Sequence, residues 1–158
     1  MTNNVKPIPE GREGATPYLS IKGAAAAIDF YKKAFGATET MRMAGPDGRI
    51  GHAEIMIGKA HIELADEHPE IGFLSPQTLG GSPVTIHIYV EDVDALAVRA
   101  EAAGAKMLRP VADQFYGDRG GQFGDPFGHV WYFATRKENV SLEEMQKRAA
   151  AYTPGGKS

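Results

Sequence analysis

A helix-and-glycine segment that occurs twice constrains the fold of this chain more than any other feature. The first copy spans residues 27–37, and a looser second copy spans residues 95–105, 68 positions further along. At this offset Gly36 aligns with Gly104, so each copy reads as a helix that ends at a glycine. Glycine is favoured just past a helix because it tolerates the left-handed cap conformation. The repeat therefore predicts two similar half-domains built around one shared site.

The composition places the chain among ordinary globular domains. Of its 158 residues, 42% are hydrophobic and 23% are charged, which is enough apolar surface for a core. The net charge is -3 and the basic residues are scattered, so no nucleic-acid partner is expected. No apolar run approaches membrane-spanning length, the N-terminus lacks a signal-peptide core, and there are no cysteines. We therefore expect a cytoplasmic protein without membrane contact.

Hydrophobic patterning predicts a β-α-β-β-β order in each half. The first helix is expected over residues 24–35, and Asp92 is placed to cap a second helix that runs to Ala103. We expect one globular domain with a flexible N-terminal arm at 1–14, a first module at 15–66, a linker at 67–82, a second module at 83–136, and a C-terminal helix and tail at 137–158.

Two further segments have local signatures. Residues 113–121 are rich in glycine and aromatic residues and are predicted to form a loop. This loop would carry Phe115 and Arg119, which suit closure over a planar or anionic ligand. The C-terminal helix has a capping box, in which Ser141 is the N-cap and Glu144 lies three residues later.

Several motifs resemble those of the vicinal oxygen chelate superfamily, which holds glyoxalase I, bleomycin-resistance proteins and extradiol dioxygenases. Closer still, the chain resembles the bacterial PhnB-like branch of glyoxalase/bleomycin-resistance proteins. The motifs are Pro17-Tyr-Leu, Ala27-Ile-Asp-Phe-Tyr-Lys-Lys-Ala-Phe-Gly36, His52-Ala-Glu54, Ser75-Pro-Gln-Thr-Leu-Gly-Gly81, Tyr89-Val-Glu-Asp-Val-Asp94, Asp125-Pro-Phe-Gly-His129 with Trp131, and Val140-Ser-Leu-Glu-Glu-Met145. The resemblance implies an α+β fold in which paired β-α-β-β-β modules form an open, cup-shaped mixed sheet around a small-molecule site. It also implies a homodimer.

The resemblance further implies four metal-ligand positions, one on the first and one on the last strand of each module. In this chain they fall on Thr16, Glu63, Thr85 and Tyr132. Threonine hydroxyls and a neutral phenol are poor ligands for the divalent metals of these enzymes. Only Glu63 is a good ligand, so we expect the usual metal centre to be absent and no cofactor to be bound.

Strand periodicity adds neighbours to these positions. His87 shares a strand face with Thr85, His61 with Glu63, and Tyr18 with Thr16. These side chains, together with Tyr132, Phe115 and Arg119, are candidates to line a polar ligand pocket. Alternatively, Glu63, His87 and His61 form a shifted two-histidine, one-carboxylate site for Zn, Mn, Fe or Ni. Ordinary structural roles are the third interpretation.

Other polar and aromatic residues are assigned by alternation. Trp131 and Phe133 should face the helices as core, while Tyr132 should point to the opposite face. His52 and Glu54 share a face, where a structural hydrogen-bonding role is as reasonable as ligand contact.

Three functions remain open from the sequence. The first is a bleomycin-resistance-type protein that binds a small organic ligand without turnover. The second is a metal-dependent lyase, isomerase or dioxygenase that uses Glu63 and His87. The third is a structural or regulatory dimer with a vestigial cup.

Overall fold

A computed structural model describes residues 4–152 of the chain. The predicted β-α-β-β-β order is present in each half, followed by a C-terminal helix. The elements are β1 (Tyr18–Ile21), α1 (Ala24–Phe35), β2 (Thr38–Ala44), β3 (Ile50–Ile57), β4 (Ala60–Asp66), a 3-10 turn (Pro69–Ile71), α2 (Pro76–Leu79), β5 (Thr85–Tyr89), α3 (Val93–Ala103), β6 (Lys106–Asp113), β7 (Asp118–Gly124), β8 (Val130–Arg136) and α4 (Leu142–Ala151).

The strands form two four-stranded mixed sheets with the same internal order, β1-β4-β3-β2 and β5-β8-β7-β6. In each sheet the first and last strands of the module pair in parallel, and the remaining pairs are antiparallel. Tyr18 lies opposite Glu63 in the first sheet, and His87 lies opposite Tyr132 at the equivalent place in the second. The predicted α+β fold is thus confirmed, while its closure into a cup stays a prediction.

Both repeated helices begin and end as the sequence predicts. Gly36 follows α1 with a φ of 68°, the left-handed conformation that glycine adopts without strain. Asp92 caps α3 by accepting a hydrogen bond from the Ala95 amide. The two helices pack together, and the Arg99 side chain donates to the Ala34 carbonyl at 3.2 Å.

The core lies between the sheets and the helices. Phe123, Trp131 and Phe133 are fully buried on the helix side of the second sheet, which confirms the prediction for Trp131 and Phe133. Phe35 of α1 packs against the rings of Trp131 and Phe133, with centroid distances of 5.0 and 4.7 Å. The first module's helix is therefore part of the second module's core.

A buried carboxylate joins the two modules. Asp125 accepts hydrogen bonds from the Tyr31 hydroxyl at 2.6 Å and from the Trp131 indole at 3.0 Å. Burial and the adjacent Asp125 raise the pKa of Tyr31 well above its usual value, so its hydroxyl remains a donor. His129 is also buried, and its Nε2 atom lies 3.0 Å from the carbonyl oxygen of Ser20 in β1.

Two connecting segments are more ordered than predicted. The linker contains the 3-10 turn and α2, whose N-cap Ser75 accepts from the Thr78 amide. The loop predicted over residues 113–121 is shorter, because β7 already begins at Asp118 and Arg119 is a strand residue. The prediction that Arg119 lies in a loop was therefore wrong. The glycines beside it occur within a strand because neighbouring atoms of the sheet lie too close for a larger side chain.

Half of the predicted capping box is present in α4. Ser141 accepts from the Glu144 amide at 3.1 Å, whereas the Glu144 carboxylate pairs with Arg148. No helix within residues 4–152 has both the length and the apolar content to cross a membrane.

Candidate functional site

The polar face of the first sheet gathers acidic and imidazole side chains. Alternation along β3 and β4 places Ile55 and Leu64 on the helix side and sends Glu54 and Glu63 to the opposite side. Among residues 4–152, one group of three or more potential metal ligands has all its ligand atoms within 4.8 Å of one another, namely His52, Glu54 and Glu63. We call these three residues the acidic cluster.

A cationic side chain from the N-terminal arm lies across this cluster. Arg12 Nη2 donates to Glu54 Oε1 at 2.8 Å, and Nη1 donates to Glu63 Oε1 at 3.0 Å. The side chains of Glu54, Glu63 and Arg12 are only 14%, 22% and 26% exposed, so both ion pairs are partly desolvated. Sequence reasoning missed Arg12 because the arm lies outside the repeat.

Hydrogen bonds continue from the cluster to β1. The Tyr18 hydroxyl lies 2.7 Å from His52 Nδ1, and His52 Nε2 lies 3.3 Å from Glu54 Oε1. A hydroxyl that donates to Nδ1 leaves the proton on Nε2, where it faces the carboxylate. Burial, then the charges of Glu63 and Glu54, raise the pKa of Tyr18, which keeps it a donor.

The electrostatics of Glu54 favour its charged form. Burial acts to raise the pKa of this carboxyl, but hydrogen bonds from His52 and Arg12 and the nearby positive charge lower it overall. His61 Nε2 lies 3.2 Å from Glu54 Oε2, although the pair is not aligned for a hydrogen bond. Glu54 is therefore a stable anion at neutral pH.

The polar face of the second sheet is aromatic instead of acidic. The Tyr132 and Tyr116 hydroxyls lie 3.1 Å apart, and the His87 ring stands perpendicular to Tyr132 at 5.0 Å. Burial and the Tyr116 hydrogen bond raise the pKa of Tyr132, so it stays neutral. Thr85 Oγ1 lies 3.5 Å from Gln122 Nε2. This face offers rings and hydroxyls, which suit hydrogen bonding and stacking.

Some of the predicted site residues come together and others do not. His61 and His87 line one cavity of about 310 Å³, together with Arg12 and Thr16. The predicted ligand set of Glu63, His61 and His87 is not among the groups within 4.8 Å in the part of the chain that the structure describes. His52 and Glu54 occupy the places beside Glu63 that the sequence assigned to His61 and His87.

The two candidates from the predicted loop have other contacts. Arg119 pairs with Asp94 at 2.8 Å and with Asp113 at 3.2 Å, and strand alternation places it on the side of Phe123, facing α3. Phe115 packs against Tyr152, with ring centroids 5.4 Å apart. The ion pair between Arg119 and Asp94 therefore links β7 to α3.

A second cavity, of about 690 Å³, adjoins the acidic cluster on the same face of the first sheet. Met43 is the register partner of His52, and Ala65 follows Glu63 by two residues, so both lie on the polar face. We call this cavity the apolar groove; it is lined by Tyr18, Met43, Ala44, Gly45, Asp47, Arg49, Ile50, Gly51, Ala65, Asp66, His68, Ile71 and Phe73. Its linker residues carried no sequence signal for a site, since their contact with β1 arises only on folding.

The β-α-β-β-β module occurs twice, and each of the two sheets has one polar face. This architecture assigns the chain to a class of protein. Residues 18–133 match the model of the Glyoxalase/Bleomycin resistance protein/Dioxygenase superfamily. The chain belongs to this family, as the sequence motifs predicted.

Similar proteins occur in Mycobacterium bovis and in Arabidopsis thaliana. The chain is 40% identical over 158 residues to Mb0911c of Mycobacterium bovis, covering 98% of this chain and all of the relative. It is 28% identical over 127 residues to At5g48480 of Arabidopsis thaliana, covering 76% of each.

Solved structures share the fold. TioX from Micromonospora sp. ML1 superposes with a TM-score of 0.64 at 23% identity, covering 82% of this chain and 100% of TioX. FosX, a fosfomycin resistance protein from Listeria monocytogenes solved with Mn(II) and sulfate, has a TM-score of 0.59 at 20% identity, covering 87% of this chain and 98% of FosX. At these identities the likeness concerns the fold alone.

Proposed function

We propose that this protein binds a small organic molecule on the polar faces of its two sheets and uses no metal centre to do so. The observation that carries the proposal is the position of Arg12, whose guanidinium lies between the carboxylates of Glu54 and Glu63. A fixed positive charge there opposes a metal cation on the same two oxygens. The protein thus supplies its own counter-charge to the acidic cluster.

Donor chemistry at the family's metal positions supports the same conclusion. Three of these four positions carry Thr16, Thr85 and Tyr132, and the raised pKa of Tyr132 disfavours the phenolate that would bind a metal. The residues present do not fit the family's metal ion at its usual place. Ligand recognition in this chain therefore rests on its own side chains.

The remaining groups suit an organic ligand. His87, Tyr116 and Tyr132 present ring faces and hydroxyls, and the apolar groove of about 690 Å³ is within the usual range for small-molecule sites, roughly 300–1,000 Å³. A few polar groups beside apolar walls are the common pattern of such sites.

A thermal-shift screen tests the proposal. Purified protein is heated with a library of small organic compounds, each with and without Mn²⁺, Zn²⁺, Ni²⁺ and Fe²⁺. We expect stabilisation by at least one compound class that does not depend on added metal. Strong stabilisation by one divalent ion, and none by organic compounds, would overturn the proposal.

A metal-dependent lyase, isomerase or dioxygenase is the second candidate. The observation in its favour is the acidic cluster itself, since an imidazole and two carboxylates within 4.8 Å form a donor set that suits Mn, Fe or Zn. A divalent ion held there would polarise a substrate oxygen. In this case Arg12 must leave, and the Arg12→Ala variant should bind Mn²⁺ more tightly than the wild type in a titration followed by electron paramagnetic resonance.

Homodimerisation and a cytoplasmic location remain proposals. Size-exclusion chromatography with light scattering tests the first, with twice the chain mass as the expected result.

A further inference from the structure

We infer that the ligand of this site is an amphipathic organic cation, whose planar guanidinium- or amidinium-like group replaces Arg12 between Glu54 and Glu63 and whose apolar body lies in the apolar groove. This inference rests on the proposed function and names its ligand class. Its first support is that the protein itself places a group of this chemistry on the two carboxylates.

The fit of a planar cation is visible in the Arg12 contacts. Two different guanidinium nitrogens reach two different carboxylates, at 2.8 and 3.0 Å, both within the range of charge-assisted hydrogen bonds. A guanidinium presents its donors in a fixed plane, so a site that holds one of them suits a ligand with the same fork. An anion cannot donate to the two carboxylates, and an ammonium lacks the planar fork of donors.

Arg12 is a displaceable occupant because it comes from outside the framework. It precedes β1 and lies before the region that matches the family, and residues 4–17 contain no helix or strand. Within the described residues, the one backbone–backbone hydrogen bond of Arg12 closes a turn, in which its amide donates to the Pro9 carbonyl at 3.1 Å. The arm can therefore move without unfolding a sheet.

The apolar groove provides a place for the rest of the ligand. Tyr18 belongs to both features, since it lines the groove and its hydroxyl bonds to His52 of the acidic cluster. Phe73 from the linker stands edge-on to Tyr18 at 5.5 Å and forms a wall of the groove. Met43 and Ile71 are 62% and 76% exposed on its rim, and such exposed apolar side chains beside a cavity are typical of a binding surface.

Charge around the groove favours a cation over an anion. The Asp66 carboxylate accepts from the Gly23, Ala24 and Ile50 amides and so is held in place as a fixed negative charge. The Arg49 guanidinium also lines the groove and donates to the Glu67 carbonyl at 2.7 Å, but the carboxylates of Asp47 and Asp66 outnumber it. An anionic head would be repelled by the carboxylates of the cluster, whereas a cationic head takes over the charge compensation that Arg12 provides.

Competition with Arg12 gives the inference a specific signature. A ligand that must displace Arg12 binds with an affinity reduced by the fraction of molecules in which the arm is released. Replacing Arg12 by alanine should therefore tighten binding of a cationic ligand, and replacing Glu63 by glutamine should weaken it.

A matched pair of probes tests this on the full chain by isothermal titration calorimetry. The probes are 2-naphthamidine and its neutral isostere 2-naphthamide. We expect the amidine to bind roughly tenfold more tightly than the amide, as one charge-assisted contact predicts. Arg12→Ala should raise the affinity for the amidine several-fold, Glu63→Gln should lower it roughly tenfold, and Glu39→Gln, which removes the same charge on the helix side of the first sheet, should leave it unchanged.

Equal affinity for the two probes, or an Arg12→Ala variant that binds the amidine no better than the wild type, would overturn the inference. Arg12→Ala alters no sheet residue, so this arm of the test stands even if Glu63→Gln fails to fold. Neutral compounds that stabilise the protein while the amidine does not would end this inference and leave the proposed function standing. Stabilisation by a divalent ion alone would end both.

Discussion

Arg12 donates a hydrogen bond of 3.0 Å to Glu63, and this contact joins the N-terminal arm to the last strand of the first module. Glu63 is the residue that the family resemblance predicted as the one good metal ligand of this chain. The same guanidinium reaches Glu54 at 2.8 Å. The charge balance of the polar face therefore depends on a segment outside the repeated fold.

Replacing Arg12 by alanine should have a small effect on stability. The ion pairs are partly exposed, and such pairs contribute about 1 kcal/mol or less. We expect the melting temperature to fall by no more than about 4 °C, the shift that about 1 kcal/mol gives in a domain of this size. Differential scanning calorimetry checks this, with Arg42→Ala, which breaks an exposed pair with Glu39, as the control. A much larger loss for Arg12→Ala alone would mean that the arm is integral to folding.

Replacing Tyr31 by phenylalanine should destabilise the protein more. The change removes a donor at 2.6 Å from the buried Asp125, and leaving a buried acceptor short of a partner costs about 1–3 kcal/mol. Urea denaturation followed by circular dichroism measures the free energy of unfolding. Tyr152→Phe is the matched control, because the hydroxyl of this exposed side chain makes no hydrogen bond within the described residues. Equal free energies of unfolding for the two variants would contradict the role of Asp125 as a stabilising link between the modules.

Acid should weaken the protein partly through Glu39. Hydrogen bonds from Arg42 and Lys32 lower the pKa of this carboxyl from 4.5 to about 2. Because the folded pKa is the lower one, its stabilisation is complete above pH 4.5 and is lost as the pH falls towards about 2. Urea unfolding of the wild type and Glu39→Gln from about pH 7 to about pH 2 should show a stability difference that disappears over that interval. Glu101→Gln, an exposed carboxylate without an ion pair in the described region, should show no such convergence.

Adding a methyl group at Gly120 should displace Tyr132. A Cβ there would lie 2.6 Å from the Tyr132 hydroxyl and 2.9 Å from the Phe133 carbonyl. Overpacking of this kind costs about 1–3 kcal/mol. Gly51→Ala is the control, since its Cβ would meet only the Met43 carbonyl, at 3.7 Å. Urea denaturation should show a loss for Gly120→Ala only; equal curves would mean that the Tyr132 ring moves aside freely.

The sequence predicted the architecture because local patterns determine it. The repeat at Gly36 and Gly104 located both helices, and alternation placed Trp131 and Phe133 in the core. These features depend on residues close together in the chain. The same alternation found the polar faces and hence Tyr18, His61, Glu63 and His87.

The assembly of the site was less predictable because it depends on contacts between distant segments. Arg12 meets Glu63 across 51 positions, and nothing in the arm's composition indicates where it lies. Arg119 was assigned to a loop because its neighbours are glycines, yet those glycines allow close strand packing. Periodicity identifies a face but does not say which side chains on it touch.

Metal content is the most direct test of the central claim that this chain binds its ligand without a metal centre. The protein is purified without chelator, and its Zn, Mn, Fe and Ni are quantified by inductively coupled plasma mass spectrometry, alongside the Glu63→Ala variant. We expect far less than one metal per chain in both proteins. One metal per chain in the wild type, lost in Glu63→Ala, would contradict the account.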